Sequence, residues 1–446
     1  MSDYRAKRTP VHLGPAAWSV ILGPQEPARP LDESVTADVA IIGGGFAGLS
    51  AARRLTELAP GAKVIVLEAA RLAEGSAGRN SGFMIDLPHD LASDDYAGSG
   101  DDRAVIALNR RAIAFAGDAV NEYGIDRNYF DPAGKVNGAT GAAAHTHNES
   151  YARHLATLGE ACETLDRRQM HDMTGSRHYI SGLYTPGTVM LQPAGYIRGL
   201  GAGLVARGVA IHENSPVLAF EKQGGAWRVR TPRGVVSAAK LILSVNGHLE
   251  SFGFARGRLL HVFLYAAMTT RLDAAALARL GGRPRWGVTP SDPIGTTVRR
   301  IDAGQGGDRI VTRTCATLRP DMIPDAAAMR RAERVIRRKF DQRFPQLAGV
   351  AMEHAWAGLL CLSRNGVAVM REIENGVFAA CVQNGLGATR GTLTGIGAAE
   401  LACAETSPVT AHFLAEPQPT RLPPPPLQAI GGNALLRWKE WRARGE

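Results

Sequence analysis

The chain has 446 residues, with 51 Lys and Arg against 42 Asp and Glu, a formal charge of +9, and 45% apolar and 21% charged residues. These values exclude a disordered, collagen-like or coiled-coil chain and leave material for a large core in two domains. The longest apolar run, Leu259–Met268 broken by His261, is well short of the about 20 residues needed to span a bilayer. The charged segment Met1–Arg8 is not followed by an apolar stretch of signal-peptide length. Cys162, Cys315, Cys361, Cys381 and Cys403 are scattered without a CxxC pair, so no disulfide framework or zinc site is expected and a cytoplasmic location fits best. The positive charge is spread along the chain, as on a solvated surface rather than a nucleic-acid site.

Taken in chain order, Asp38–Ile42 is β-branched and apolar, which predicts a buried parallel strand. Gly43-Gly44-Gly45-Phe46-Ala47-Gly48 follows at once as GxGxxG, then a helical pattern over Leu49–Leu58 and a second strand over Lys63–Leu67 that ends at Glu68. Gly43 permits the tight turn, Gly45 leaves room for a pyrophosphate against the backbone, and Gly48 lets helix and sheet approach. Phe46 and Ala47 lie within this glycine turn, and the start of the helix that follows offers free N–H groups and a positive dipole end to the phosphates. Glu68 is 20 residues beyond Gly48, where a carboxylate accepts hydrogen bonds from ribose hydroxyls and disfavours a 2′-phosphate. This predicts a dinucleotide site for NAD or FAD. After Ala69, the loop Gly75-Ser76-Ala77-Gly78-Arg79-Asn80-Ser81-Gly82 is dense in small residues, as suits a segment running beneath a flat ring system.

Ile42–Ser50, Leu67-Glu68-Ala69 and the 75–82 loop together resemble the DAO-type flavoprotein oxidoreductases, which include glycine, sarcosine and D-amino acid oxidases. The loop is especially similar to the GASGRNGG-like element of the γ-glutamylputrescine oxidase branch. The resemblance implies FAD as cofactor and an α/β (α+β overall) fold, in which a Rossmann-like FAD-binding domain is interleaved with a mixed-sheet substrate domain. It also implies oxidation of a C–N bond in a small primary or secondary amine by hydride transfer to flavin N5. The resulting imine hydrolyses to an aldehyde or keto product, and O₂ or an electron carrier is the acceptor. Some relatives attach FAD through a histidine in this loop, whereas Arg79 and Asn80 stand here, so non-covalent FAD is expected. The expected layout is an N-terminal arm over 1–36, FAD-binding segments 37–99, 193–254 and 352–412, substrate segments 100–192 and 255–351, and a tail over 413–446.

Met84, Asp86 and His89 follow the loop as candidate substrate residues, Asp86 being suited to a substrate ammonium. Helices are expected over Ala104–Tyr123, Asn148–Leu165, Pro193–Leu204 and Asp325–Phe340, the last with an apolar face and an otherwise basic surface. A strand over Gly208–His212 leads to Val217, which the resemblance makes a backbone contact to the adenine. Leu241–Gly247 is a further strand, with Asn246 at the end that closes the site.

Leu259–Tyr265 places His261, Phe263 and Tyr265 on one side of a strand, as a wall for the ring or the core. In amino-acid oxidases a WxG is followed shortly by an arginine for the substrate carboxylate. Here Trp356-Ala357-Gly358 is followed by Leu359 and Leu360, and Arg364 comes only later. That spacing argues against a simple α-amino acid and turns attention to Arg299 and Arg300. Tyr265, His261, Arg300 and Trp356 are the catalytic candidates, and no metal ligands are expected. Gly385, Leu386 and Gly387 precede a helix over Thr392–Cys403 that in the family points at the flavin pyrimidine ring. Pro423–Pro426 reads as a rigid spacer before a basic helix, Ala434–Arg444, that docks on its own domain, a partner subunit or a membrane surface. A flavin-binding assembly or regulatory protein without turnover is the alternative reading, and a flavoenzyme acting on modified RNA a weaker one.

Overall fold

The computed structural model describes residues 3–88, 98, 100–292 and 294–446. The elements that position the site are, in chain order, β1 (Ser34–Ile42), α1 (Phe46–Leu58), β2 (Val64–Leu67), β3 (Ala210–His212), β4 (Val235–Leu243), β5 (Leu259–Thr269), β6 (Thr297–Ile301), β7 (Arg309–Leu318), α2 (Ala326–Arg343), β8 (Met352–Ser363), β9 (Val377–Cys381), α3 (Gly387–Ala402) and α4 (Pro425–Arg442).

Among the described residues the first sheet has nine strands. Its centre is parallel, in the order β3, β2, β1, β4, with β9 parallel to the C-terminal half of β4. The apolar run Ala40–Ile42 is buried on both faces, as a covered parallel strand requires. The antiparallel strands Ala226–Arg230 and Ala219–Gln223 extend this sheet beyond the N-terminal half of β4. Asp3–Arg5 adds to Ala219–Glu221, and Trp18 of the short helix Ala17–Val20 is fully buried, so the N-terminal segment is woven into the fold rather than lying beside it.

The second sheet has eight strands among the described residues, ordered β8, β5, β7, β6, then Trp286–Pro290, Lys135–Ala139, Ser181–Thr185 and Glu163–Leu165. β8, grouped by sequence with the cofactor segments, pairs along its length with β5 and belongs to this second sheet. The helix expected over Asn148–Leu165 runs instead over Ala142–Leu158. Gly159 ends it in a left-handed conformation (φ 78°), and Glu163–Leu165 forms a strand. The tail helix begins at Pro425, because proline is well accommodated in a first helical turn. On its inner side Asn433 brackets one residue of β7: its Oδ1 accepts the Leu318 N–H at 2.9 Å and its Nδ2 donates to the Leu318 carbonyl at 3.0 Å. Among the described residues no helix is long and apolar enough to cross a membrane.

Candidate functional site

The site is built where the parallel strands end. Gly43 turns out of β1 at φ 105°, a conformation that disfavours any side chain. The Ser244 hydroxyl, from the end of β4, donates to the carbonyls of Ile42 (2.9 Å) and Gly43 (2.8 Å) and fixes the turn from beneath. A Cβ at Gly48 would fall 1.9 Å from the Gly43 carbonyl, so α1 lies directly against the turn. At Gly45, by contrast, a Cβ would meet only Ala77 at 3.6 Å, which leaves an open cradle between the glycine turn and the 75–82 loop. Phe46 and Ala47 send their side chains into the core, Phe46 stacking on Tyr196, and offer the site only backbone.

Glu68 lies at the end of β2, half-buried, where its Oε2 accepts the Gly44 N–H at 2.7 Å and its Oε1 accepts the Ala70 N–H at 3.0 Å. Burial pushes its carboxyl up, while those N–H donors pull it back down. Ala69 is half-buried beside it, and the Glu68 carbonyl accepts from Ser215, which leads to buried Val217.

A second uncapped helix start joins the first. Gly45 is the N-cap of α1 and Leu386 that of α3, neither with a side-chain cap or an acidic residue in the first turn. The helices touch backbone to backbone: a Cβ at Gly395 would be 2.1 Å from the Ala47 carbonyl. Two positive helix ends, each with free N–H groups, therefore belong to one packed pair. The loop before α3 runs through left-handed backbone at Val382 (66°), Asn384 (48°) and Gly385 (91°). A β-branched residue in that region is strained, as is common at functional sites. The Asn246 Oδ1 holds the Val382 N–H at 3.2 Å, so Asn246 acts by shaping this loop. Gly385 and Gly387 are exposed while Leu386 is buried, leaving bare backbone at the loop tip.

The 75–82 loop is gripped carbonyl by carbonyl. The Trp356 indole donates to the Arg79 carbonyl (3.1 Å) and the Trp18 indole to that of Asn80 (2.9 Å). Arg299 Nη1 donates to the carbonyls of Ser81 (3.1 Å), Gly82 (3.0 Å) and Leu191 (2.6 Å). Ser76 ties the start of the loop to the Leu359 carbonyl at 2.9 Å, Asn80 closes onto Ala77 and Gly82, and Gly78 is buried. The Arg79 guanidinium does not reach outward; it binds the carbonyls of Glu74, Gly14 and Ala357, and burial lowers its pKa to about 10. Burial lowers that of Arg299 to about 9. Trp18, Ser244 and the grip of Arg299 went unnoticed in the sequence, because a lone buried tryptophan, serine or arginine carries no motif.

The catalytic candidates are not brought together. Strand register puts Trp356, Gly358, Leu360 and Leu362 of β8 on one face with Ala266, Leu264, Val262 and Leu260 of β5. That face meets the loop, since Trp356 bonds the Arg79 carbonyl and a Cβ at Gly358 would touch it at 3.1 Å. Leu260, Leu264, Leu360 and Leu362 are half-buried there and form an apolar wall. His261, Phe263 and Tyr265 lie on the opposite face. Phe263 and Tyr265 pack against Met329, Ala332 and Ile336 of α2, and His261 pairs with Glu250 at 2.8 Å. Both faces of β5 are apolar, so alternation alone did not distinguish them. Trp356 is buried in the core and acts on the loop through its N–H. Arg300 points away from its neighbour Arg299, to the Gly281 carbonyl at 2.5 Å.

Met84 is a core residue. Asp86 is buried with Oδ2 3.2 Å from Arg110 and, among the described residues, Oδ1 without a hydrogen-bond partner. It lines a cavity of about 170 Å³ with Leu87, Arg110, Glu160, Ala161, Pro186 and Gly187. Lys135 is buried nearby, its pKa lowered to about 8 by burial and partly restored by Asp86. The Thr389 hydroxyl of α3 donates to the Ile85 carbonyl at 2.9 Å, tying this stretch to the second helix start. His89 lies outside the described residues. A larger recess of about 540 Å³, lined by Asp166, Arg167, Arg168, His171 and Arg177, shares no residue with these elements.

The open cradle at Gly45, the two helix starts, Glu68 and the gripped loop fit a dinucleotide that carries a flat ring. Comparison with known proteins agrees. The chain is 27% identical over 410 residues to a probable oxidoreductase, OrdL, of Rhizobium meliloti, covering 88% of this chain and 89% of that one. It is 24% identical over 381 residues to the γ-glutamylputrescine oxidoreductase of Escherichia coli, covering 84% and 85%. Its fold superposes on glycine oxidase from Geobacillus kaustophilus with a TM-score of 0.68 at 16% identity, covering 83% of this chain and 96% of that one. The sequence profile of the DAO family, described as FAD dependent oxidoreductase, matches residues 38–401. The chain belongs to the DAO family of FAD-dependent oxidoreductases, enzymes acting on amine and amino-acid-type substrates.

Proposed function

We propose that this enzyme oxidises the C–N bond of a small primary or secondary amine of the γ-glutamyl-polyamine kind, giving an imine that water converts to an aldehyde or keto product. FAD, when bound, supplies the acceptor for the hydride leaving the carbon beside the amine nitrogen. The observation that carries the reading is the pairing of the gripped 79–82 backbone with the apolar wall of Leu260, Leu264, Leu360 and Leu362. That wall excludes water and favours an uncharged amine over the reacting face. Gly43, Gly45, Gly48, Glu68, the 75–82 loop, Asn246 and Gly385–Gly387 hold FAD, mostly through backbone. The loop contains neither histidine nor cysteine, which supports non-covalent attachment.

Asp86, with one oxygen unpartnered, holds a second, cationic nitrogen of the substrate. Arg364 is exposed in the turn after β8, which disfavours a simple α-amino acid gripped by that residue. O₂ or an electron carrier takes the electrons onward, and the five free thiols suit a cytoplasmic location. The FAD-binding half comprises 37–99, 193–254 and the residues after Ser363, and the substrate half the second sheet.

The test is anaerobic mixing of the purified yellow protein with γ-glutamylputrescine, putrescine, sarcosine, D-amino acids and aminophosphonates. Bleaching by γ-glutamylputrescine ahead of the others is the expected result. Bleaching by dithionite but by none of the amines overturns the reading and leaves a flavin-binding protein without turnover. Acid precipitation is expected to release the flavin into the supernatant.

A further inference from the structure

α4 presents two unlike sides. Its inner side is polar and committed. Asn433 brackets Leu318, Glu440 accepts the Ala316 N–H at 3.0 Å and pairs with Arg331 of α2 and Arg437, and Leu436 packs on the second sheet. Its outer side is apolar. Leu427, Ile430, Leu435, Trp438 and Trp441 are 63, 72, 52, 49 and 60% exposed, at spacings of three, five, three and three residues that keep them on one broad helix face. Of the eleven large apolar side chains exposed among the described residues, these are five, and they include both tryptophans. Such a concentration is not the scattered exposure of an ordinary surface.

The charge around this face has one sign. Glu440, the only acid in α4, is turned inward. Arg442 lies 5.0 Å above the Trp438 ring and Arg444 4.5 Å above that of Trp441, with Lys439 alongside. α2 is joined to this helix through Arg331–Glu440 and through Lys339, which donates to the Arg444 carbonyl. α2 adds exposed Arg330, Arg334 and Arg338, against exposed Glu333 and an Asp341 already paired with Arg337.

We propose that α4 is a docking face for an anionic lipid bilayer, with Trp438, Trp441, Ile430, Leu427 and Leu435 entering the headgroup boundary and the arginines meeting the lipid phosphates. Tryptophan and arginine both favour that boundary, each having an apolar body and a polar tip. A second copy of the chain is the poorer occupant. Two such faces would bring Arg442, Arg444 and Lys439 of each against the same cations of the other, with no exposed acid on α4 to offset them. The proposal is independent of the substrate, because no residue of this face belongs to the cofactor or substrate site.

The test is flotation of the FAD-loaded protein with vesicles of mixed phosphatidylglycerol and phosphatidylcholine, and with vesicles of phosphatidylcholine alone. Wild type is expected to float with the anionic vesicles and to stay below with the neutral ones. W438A/W441A is expected to lose about tenfold in partitioning, and R442Q and R444Q about fivefold each, with salt weakening all of them. The flavin spectrum and amine turnover of these variants are expected to match wild type. Failure of wild type to float with anionic vesicles, or equal flotation of wild type and W438A/W441A, overturns the proposal. So does a dimer in vesicle-free sedimentation that W438A/W441A abolishes, since a second copy then covers the face.

Discussion

Trp18 and Trp356, 338 positions apart in the chain, donate their indole N–H groups to the carbonyls of Asn80 and Arg79, two consecutive residues of the loop. Arg299 takes the next two carbonyls. The loop is therefore held from behind at four successive peptides, and its exposed side is preorganised before any ligand arrives. W18F and W356F keep the ring volume and remove the donor. Each leaves a buried carbonyl unpaired, at about 1–3 kcal/mol. The expected result is FAD retention weakened about tenfold or more, read as free-flavin fluorescence in an ultrafiltrate.

Arg299 is the more sensitive position. It is buried, with no carboxylate paired to it among the described residues, and spends its donors on Ser81, Gly82, Leu191 and Gln305. R299M is expected to yield apoprotein that melts at the same temperature with and without added FAD. R299K keeps the charge but not the planar fork, and is expected to bind FAD weakly. Tight FAD binding by R299M in a thermal-shift titration would remove Arg299 from the site.

D86N tests the ammonium anchor. It removes the charge while keeping shape, so the expected result is a KM raised about tenfold or more for diamine-derived substrates. kcat and the flavin spectrum are expected to stay near wild type, as is KM for sarcosine. An equal rise for sarcosine would mean that Asp86 serves only Arg110.

The contact between α1 and α3 tolerates no added atom at Gly395. G395A places a methyl group against the Ala47 carbonyl and is expected to cost about 1–3 kcal/mol or more, lowering both the melting temperature and FAD affinity. G431A, on α4 with nothing within 4 Å of the added Cβ, is the control and is expected to stabilise slightly.

Burial holds the half-buried imidazoles of His178 and His248 at a pKa of about 4 instead of 6.5. In the unfolded chain they take up protons first as pH falls. Their neutral burial therefore costs nothing above about pH 7, and stability is lost progressively as pH falls from about 6.5 to about 4. Melting temperature against pH is expected to drop over that window in wild type and to be flatter in H178Q/H248Q.

The nucleotide-binding unit was legible in the sequence because its chemistry is local. Strand, glycine turn, helix and terminal acid occupy one stretch, and each glycine has a steric reason. The grip on the 79–82 carbonyls was not legible, because Trp18, Arg299 and Trp356 come from three separate segments and only the fold makes them neighbours. Which face of β5 meets the loop was not legible for a different reason. β5 is apolar on both sides, with α2 covering one and the loop meeting the other, so its pattern has no polarity to read. His261 and Tyr265 looked chemical, but their side of the strand faces inward. The half-buried leucines on the other side, which cluster with Leu436 of α4, carry no such chemical signal.

The bracket that Asn433 places on Leu318 has a consequence for solubility. β6 accompanies β7 only as far as Arg313, so the last residues of β7 have no strand on that margin. The Asn433 amide, Glu440 and Arg437 take up the main-chain groups of Ala316 and Leu318 that another polypeptide would otherwise capture. Shortening the chain before Pro425 would bare an apolar ribbon suited to intermolecular pairing, and material so shortened should accumulate as insoluble aggregate even where its flavin half is intact.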